Sequence, residues 1–180
     1  MRKLEKLTLK ELCKSTSVLD LNQVSKLRGG DGSGDYPYYC PGESYCYGGP
    51  GGAAARALME VGNCEINGST NTSHIMSYFT SCAGSFTNHD SWCSAFVNSM
   101  YQASGMQGTD SARSDSWLNW GTATTEPHVG DVAVYRNGGH CGIVTSVENG
   151  VVMVTAGNSG NQDCVSTSQW GDWVFRTGGN

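Results

Sequence analysis

Lysine is absent from the last 150 residues of this 180-residue chain, and charged residues make up only 15 % of the whole. Residues 31–180 carry four arginines against 13 acidic side chains, which is a net charge of −9. Such a surface repels a phosphate backbone, so nucleic-acid binding by this part of the chain is disfavoured. No apolar run approaches the ~18 residues that a membrane-spanning helix needs, so we expect no membrane span.

The chain also lacks any Cys-x-x-Cys pair, which argues against a zinc site. Eight cysteines are nevertheless present: Cys13, Cys40, Cys46, Cys64, Cys82, Cys93, Cys141 and Cys164. The seven that follow residue 30 favour an oxidising compartment, and their odd number leaves at least one thiol unpaired. Six paired cysteines allow 15 connectivities, among which the sequence does not choose.

The first thirty residues differ from the rest in charge. They carry seven lysines and arginines against three acids, a net charge of +4, and their leucines and valines partly follow helical spacing. No apolar core of the length of a Sec signal is present. The segment ends at Gly29-Gly30, after which the composition changes abruptly.

This segment resembles the double-glycine leader of bacteriocin-like precursors, with an opening similar to leaders common in Bacteroidetes. Leu27, Val24 and Leu19 occupy the apolar positions four, seven and twelve residues before the cut. The resemblance implies cleavage after Gly30 by the peptidase of an ABC exporter, followed by secretion to the periplasm or the medium. The alternative is an N-terminal helix docked on the domain and followed by a glycine linker.

The remaining chain divides into a linker and a domain. Residues 31–52 are rich in Gly, Pro and Tyr and show no helical or strand period, which predicts a loop or linker with Cys40–Cys46 as its candidate closure. Three helices are predicted at 53–61, 73–79 and 92–104, the last with Asp90 or Ser91 as N-cap and Gly105 as its stop. Strands are predicted at 131–135, 140–147, 151–156 and 173–176. Helices followed by an antiparallel meander describe an α+β domain over residues 53–180.

Cys93 falls in the first turn of the third predicted helix. There the unpaired N–H groups and the helix dipole favour a thiolate, so Cys93 is the candidate nucleophile. A nucleophile of this kind needs an imidazole that a third group orients. His140 opens a strand after a glycine turn, and Asn158 ends the neighbouring strand. The alternatives are a buried or disulfide-bonded Cys93, a surface histidine and a strand-capping asparagine.

The hairpin between the two strands decides whether His140 and Asn158 meet. If residues 148–150 form a three-residue loop, Val147 faces Val151 and His140 lies opposite Asn158 on the same face. A two-residue turn would place the pair on opposite faces, so we expect the longer loop. Strand alternation then turns Cys141 away from the His140 side, which makes Cys141 a disulfide candidate, for instance with Cys164.

The residues around the candidate nucleophile read Ser91-Trp92-Cys93-Ser94-Ala95-Phe96-Val97-Asn98. They resemble the nucleophile motif of CHAP domains and NlpC-type papain-like cell-wall hydrolases, and more narrowly a subfamily with the pattern Pro-Trp-Cys-Ala-Ala-Phe-Val-Asn. Further matching segments are 65–68, 116–121, Pro127 with Gly130-Asp131, 139–144 and 157–161. The resemblance spans about residues 53–176 in the family order Cys…His…Asn. Ser91 replaces the usual proline, and Ala156 stands where many CHAP domains have a glutamate.

The resemblance implies a papain-like α+β fold and a secreted cysteine peptidase or N-acetylmuramoyl-L-alanine amidase that cuts peptidoglycan. Cys93 would be the nucleophile, His140 the general base and acid, and Asn158 the group that orients His140, with no metal or organic cofactor. Together with a leader it implies an antibacterial or wall-remodelling effector, for which an immunity protein is a candidate partner. The alternative is a disulfide-stabilised bacteriocin-like toxin or binding module, which predicts no free thiol at Cys93. A third class is an acyltransferase or transglutaminase.

Overall fold

The computed structural model describes residues 48–160, 162–169 and 171–178, together with the backbone of 38–40 and 44–46. The leader expected over residues 1–30, including Gly29 and Gly30, lies outside the described residues, as do the side chains of Cys40 and Cys46. In the part that is described, no helix is both long and apolar enough to span a bilayer.

Three α-helices precede the main sheet, as predicted: α1 (Gly49–Met59), α2 (Ser73–Tyr78) and α3 (Cys93–Ala103). Short 3-10 helices follow at Phe79–Ser81 and Ser114–Asn119. The loop predicted over 31–52 is wrong for residues 49–52, which form the first turn of α1. Pro50 is compatible with that turn because its missing N–H would have no intrahelical partner there.

The start of α3 also differs from its prediction. Its N-cap is Trp92 rather than Asp90 or Ser91. The Asp90 carboxylate instead accepts hydrogen bonds from the backbone and hydroxyl of Thr87, so it closes the preceding turn. The predicted end of α3 is confirmed, since Gly105 directly follows the C-cap residue.

The main sheet has six strands: β3 (Thr122–Thr124), β4 (Val132–Tyr135), β5 (Cys141–Glu148), β6 (Val151–Ser159), β7 (Cys164–Ser168) and β8 (Trp173–Thr177). Each is antiparallel to its neighbours, and their order across the sheet is β3-β8-β4-β5-β6-β7. The predicted α+β class is confirmed, and so is the predicted antiparallel succession of β4, β5 and β6, whereas β7 was not predicted. Two further pairings were not predicted. Strand β8 pairs with β4, and β3 pairs with the other edge of β8.

A separate two-stranded ribbon lies in the segment predicted to have no strands. It pairs β1 (Tyr38–Cys40) with β2 (Ser44–Cys46) in antiparallel register.

The hairpin between β5 and β6 has a two-residue turn, so the predicted three-residue loop is wrong. Asn149 and Gly150 both have positive φ, 51° and 79°, as a type I′ turn requires, and Val147 pairs with Val152 instead of Val151. A bulge at Thr145 then shifts the register by one residue, and Val144 pairs with Val154. The strand ends nearest the site therefore have the register that the longer loop would have produced.

The core lies between the helices and one face of the sheet. Its largest fully buried side chains are Trp92, Trp117, Tyr101 and Phe96. A smaller cluster of Ala133, Val144 and Val154 covers the opposite face, with Trp173 and Phe175 packed against it. The α3 helix is consequently pressed onto the sheet at β5 and β6.

One disulfide joins Cys64, in the loop after α1, to Cys164 at the start of β7. The pairing suggested between Cys141 and Cys164 is therefore wrong. Cys64 and Cys164 meet because their backbones form an isolated antiparallel bridge.

Candidate active site

Cys93 is the first residue of α3, and its thiol is free and almost completely buried. The preceding Trp92 anchors this helix end. Its backbone N–H donates to Asn158 Oδ1 at 3.0 Å, and its indole N–H donates to Glu65 Oε1 at 2.9 Å. The Trp92 ring lies so close to Gly157 that a Cβ atom there would come within 2.3 Å of it. The nucleophile is thus held by contacts from two distant segments.

His140 lies in the residue position just before β5, where its carbonyl accepts from the backbone N–H of Tyr135 at 3.0 Å. Its ring centroid is 5.9 Å from that of Tyr135 and 6.3 Å from that of Trp173. The Tyr135 and Trp173 rings are stacked on each other at 4.2 Å. The imidazole therefore stands beside an aromatic pair that restricts its rotation.

His140 lies close enough to Cys93 for its hydrogen bonding and charge to act on the thiol, so the structure brings the two predicted residues together. The pKa of the Cys93 thiol lies well below its usual range. The largest cause is a hydrogen bond from the Cys141 side chain; burial opposes it, and the hydrogen bond and charge of His140 add to it. A cysteine with a lowered pKa beside a histidine is the arrangement of an activated cysteine nucleophile.

Asn158 lies at the α3 end of β6, and both ends of its amide are engaged. Oδ1 accepts from the backbone of Trp92, and Nδ2 donates to Asp163 Oδ1 at 2.9 Å. Asn158 has a positive φ of 57°, at a point where the register between β6 and β7 shifts. This bulge interrupts the side-chain alternation on which the expected pairing with His140 depended.

Ser159 is a site residue that the sequence analysis missed. Its hydroxyl lies 3.0 Å from His140 Nε2. Because the same hydroxyl donates to the carbonyl of Gly157 at 3.4 Å, it is suited to accept a hydrogen bond from the imidazole. A glycine inside a strand often marks a bulge, so Gly157 was the signal that the residue after Asn158 could face the histidine.

Cys141 does not face away from the site, contrary to the prediction. It belongs to the same buried cluster as Cys93, and its side chain and backbone N–H are among the groups that lower the pKa of the Cys93 thiol. Strand alternation failed as a guide because β5 begins only at Cys141, which leaves His140 in the preceding turn. Burial, followed by the hydrogen bond and charge of Cys93, raises the pKa of the Cys141 thiol well above its usual range.

A polar cavity of about 290 Å³ adjoins the start of α3. Its lining residues are Glu65, Gly68, Ser69, His89, Asp90, Ser91, Asn158 and Asp163. Three of these are acidic and none is lysine or arginine, so the cavity offers hydrogen-bond acceptors close to the nucleophile. Among the residues that the structure describes, no group of three or more potential metal ligands is found.

The family model for the CHAP domain matches residues 85–158, a range that includes Cys93 and His140 and ends at Asn158. A search of curated proteins finds no match to the chain. The family match and the α+β architecture with its antiparallel sheet agree. Residues 85–158 therefore support a CHAP-type domain, which implies amidase or peptidase activity of the kind found in peptidoglycan hydrolases.

Proposed function

We propose that this protein is a secreted cysteine amidohydrolase or peptidase that cleaves amide bonds in bacterial peptidoglycan. The observation that carries the proposal is the free Cys93 thiol in the first turn of α3, in contact with His140 and with a pKa well below its usual range. The fold we propose is papain-like, with the nucleophile on a helix and the imidazole on the adjoining sheet. A non-catalytic disulfide module would require Cys93 to be cross-linked, whereas its thiol is free.

The reaction begins with attack of the Cys93 thiolate on the carbonyl carbon of the amide. Backbone N–H groups in the first turn of α3 stabilise the negative charge that develops on the carbonyl oxygen. The His140 imidazolium gives its proton to the leaving amine, and a thioester remains on Cys93. Neutral His140 then takes a proton from a water molecule, whose oxygen attacks the thioester, and the acid product leaves Cys93 as a thiolate.

Two neighbouring side chains have supporting roles in this proposal. Asn158 holds the Trp92 backbone next to the nucleophile, and we retain it as an orienting residue of the site. Ser159 holds Nε2 of His140, which directs the rest of the imidazole towards Cys93. Neither role requires a metal or an organic cofactor.

The substrate we propose is the stem peptide of peptidoglycan, cut within the peptide or at the muramoyl–alanine amide. The polar cavity beside Ser91 and Asn158 is lined by acceptors that suit the N–H groups and amines of a peptide. Cleavage at the muramoyl–alanine link would make the protein an N-acetylmuramoyl-L-alanine amidase.

The test uses purified peptidoglycan and the full chain, with Cys93→Ala and, as matched control, Cys82→Ala. Cys82 is also a free thiol, half-buried but outside the Cys93–His140 pair. We expect the wild type and the control to release soluble muropeptides and Cys93→Ala to release none. Mass spectrometry of the products separates amidase from endopeptidase cleavage. Equal release by wild type and Cys93→Ala, or no release by the wild type, would refute the proposal.

The proposed route of secretion is the double-glycine leader, with a peptidase-containing ABC exporter as partner and an immunity protein as the partner of an antibacterial effector. Residues 1–30 are basic whereas the rest of the chain is acidic, and this difference supports a separate targeting segment. The intact mass of the protein in the medium of a producing culture tests it. A mass that begins at Asp31 is expected, and an unprocessed secreted chain would contradict it.

A further inference from the structure

We propose that a second cavity, on the face of the sheet away from the helices and beside Trp173, is a subsite that binds a sugar ring of the peptidoglycan glycan strand. This inference rests on the proposed function and deepens it, because it names a part of the same substrate. It assigns a role to a cavity that the reaction at Cys93 does not itself require.

The composition of this cavity is that of a small binding site. Its volume is about 230 Å³, below the roughly 300–1,000 Å³ of a typical small-molecule site, so it suits a single ring. Its lining residues are Gly150, Val152, Gln169, Asp172, Trp173 and Phe175. Aromatic and aliphatic side chains beside a few polar groups are typical of a site for a small organic molecule.

The aromatic side chains of the cavity favour a sugar. Trp173 and Phe175 are two residues apart on β8, so they share one face of the sheet, and both are only partly buried. Tyr135 stacks on the Trp173 ring at 4.2 Å and 19°, which holds the indole in a fixed plane. The face of an aromatic ring is electron-rich, whereas the C–H groups on the face of a pyranose ring are electron-poor, so the two attract each other. The fixed indole therefore offers a stacking surface to a sugar.

Polar groups around this surface suit the hydroxyl and acetamido groups of the same ligand. Gln169 and Asp172 are exposed, and Arg136 Nε donates to Asp172 Oδ1 at 3.1 Å. The remaining lone pairs of that carboxylate can accept from hydroxyl groups. The indole N–H of Trp173 is buried and has no hydrogen-bond partner among the residues that the structure describes, so a ligand acceptor would satisfy it. Since no lysine or arginine lines the cavity, a neutral sugar fits it better than an anion.

The position of the cavity relative to the candidate active site matches the layout of the polymer. Trp173 lines the cavity, and its ring centroid is 6.3 Å from that of His140. In peptidoglycan the stem peptide is joined to the glycan through the muramoyl group, so a sugar and the first amide of the peptide are neighbours. A stem peptide that reaches His140 therefore brings its glycan strand close to Trp173. This continuity is the reason for naming a sugar as the occupant.

The experiment measures binding of the N-acetylglucosamine tetramer to the full chain by isothermal titration calorimetry. All proteins carry Cys93→Ala, so that nothing is cleaved. Trp173→Leu removes the stacking surface, and Trp173→Phe keeps an aromatic face. Val151→Ala is the matched control, because Val151 is a partly exposed residue next to Val152 that does not line the cavity. A glycan-free stem peptide is the second probe.

We expect Trp173→Leu to bind the tetramer about tenfold more weakly, because the stacking contact is lost. Trp173→Phe should recover most of the affinity, and Val151→Ala should bind as tightly as its parent. Binding of the stem peptide should be equal in all variants, whereas a general disturbance of the site would weaken both probes. Should Trp173→Leu not fold, Phe175→Leu removes the other aromatic face and should weaken binding of the tetramer alone.

Absence of tetramer binding, or equal binding by Trp173→Leu, would overturn the inference, as would a parallel loss of both probes. The readout needs no cleavage, so the two proposals fail separately. A protein that binds the tetramer through Trp173 but releases no muropeptides as wild type refutes the hydrolase and leaves the sugar subsite intact. Normal release of muropeptides without binding of the tetramer does the reverse.

Discussion

At the scale of single residues, the chemistry depends on the interactions that stabilise the thiolate form of Cys93. Cys141 and His140 lower the pKa of the Cys93 thiol, and their effect outweighs the burial that would otherwise raise it. His140 in turn depends on Ser159, whose hydroxyl lies at the other side of the ring. The charge state of the nucleophile and the orientation of its histidine therefore each depend on neighbouring side chains.

Replacing the two β6 residues next to the site should separate the orientation of His140 from the anchoring of the start of α3. Ser159→Ala removes the partner of His140 Nε2, so we expect kcat on peptidoglycan to fall about tenfold with little change in KM. Asn158→Ala removes the acceptor for the Trp92 N–H at the start of α3, so we expect a loss of about 1 kcal/mol of stability in addition to reduced activity. Steady-state hydrolysis and thermal unfolding of both variants measure these effects. Full activity in Ser159→Ala would show that His140 needs no partner at that position.

The two buried thiols should give the folded protein a characteristic pH dependence of stability. Since the pKa of Cys93 is lowered on folding, its contribution rises with pH up to the ordinary cysteine pKa of about 8.5 and is lost as pH falls through the lowered pKa. Since the pKa of Cys141 is raised, its contribution is complete below about 8.5 and declines above it.

Urea unfolding of the wild type and Cys93→Ser between pH 5 and pH 10 tests this expectation. Cys93→Ser should lose the rise on the acid side and keep the decline on the alkaline side, because burial of Cys141 is unchanged. Parallel curves for the two proteins over the whole range would contradict the lowered pKa of Cys93.

At the scale of secondary-structure elements, the site depends on irregularities at the ends of regular strands. The bulge at Thr145 offsets the two-residue turn of the hairpin, and the bulge near Asn158 turns Ser159 towards His140. Gly157 lies in the second bulge and lets β6 approach the Trp92 ring. Helix α3 and strand β6 therefore pack at a distance that only glycine permits at this position.

Gly157→Ala should disturb this contact, because the added Cβ would lie 2.3 Å from the indole of Trp92. Overpacking of this kind costs about 1–3 kcal/mol, and the displaced Trp92 would move Cys93 away from His140. We expect lower thermal stability together with reduced peptidoglycan cleavage. The control is Gly171→Ala, where nothing lies within 4 Å of the new Cβ and both properties should stay at wild-type values. Wild-type behaviour of Gly157→Ala would show that the close approach is not needed.

At the scale of the whole molecule, a disulfide and a packed core hold the described helices against the sheet. The Cys64–Cys164 disulfide closes a sequence separation of 100 residues, which includes the nucleophile and the histidine. It ties the loop after α1 to β7, the strand next to β6. The free thiols at Cys82, Cys93 and Cys141 are separate from it.

Loss of this disulfide in Cys64→Ser/Cys164→Ser should lower the free energy of unfolding by about 2–4 kcal/mol, because the unfolded chain regains the entropy of a long loop. The measurement is denaturant unfolding, with Cys82→Ser as the control in which a free thiol is removed. We expect the variant to keep the wild-type alkylation of Cys93, since neither Cys64 nor Cys164 is among the groups that lower the pKa of Cys93. An unfolding midpoint equal to that of the wild type would show that the bond contributes no stability.

Much of the architecture follows from local patterns in the sequence. Apolar spacing predicted α3 and its glycine stop, and β-branched runs predicted β4, β5, β6 and β8. The strands β3 and β7 were missed because they are short, polar and rich in threonine and serine, so no apolar alternation marks them. The start of α1 was missed because Gly-Pro-Gly-Gly is typical of a loop, although here it is packed against the domain.

Local patterns in the sequence are enough to place Cys93 in the first turn of a helix and His140 beside a strand, because both positions depend on neighbours a few residues away. Folding alone brings Ser159 to the imidazole of His140 and Cys64 to Cys164, residues that lie 19 and 100 positions apart in the chain. The geometry of these contacts depends on bulges and on packing between elements. Gly157 signals one of the bulges, but no local pattern of residues specifies which distant side chains the bulge brings together.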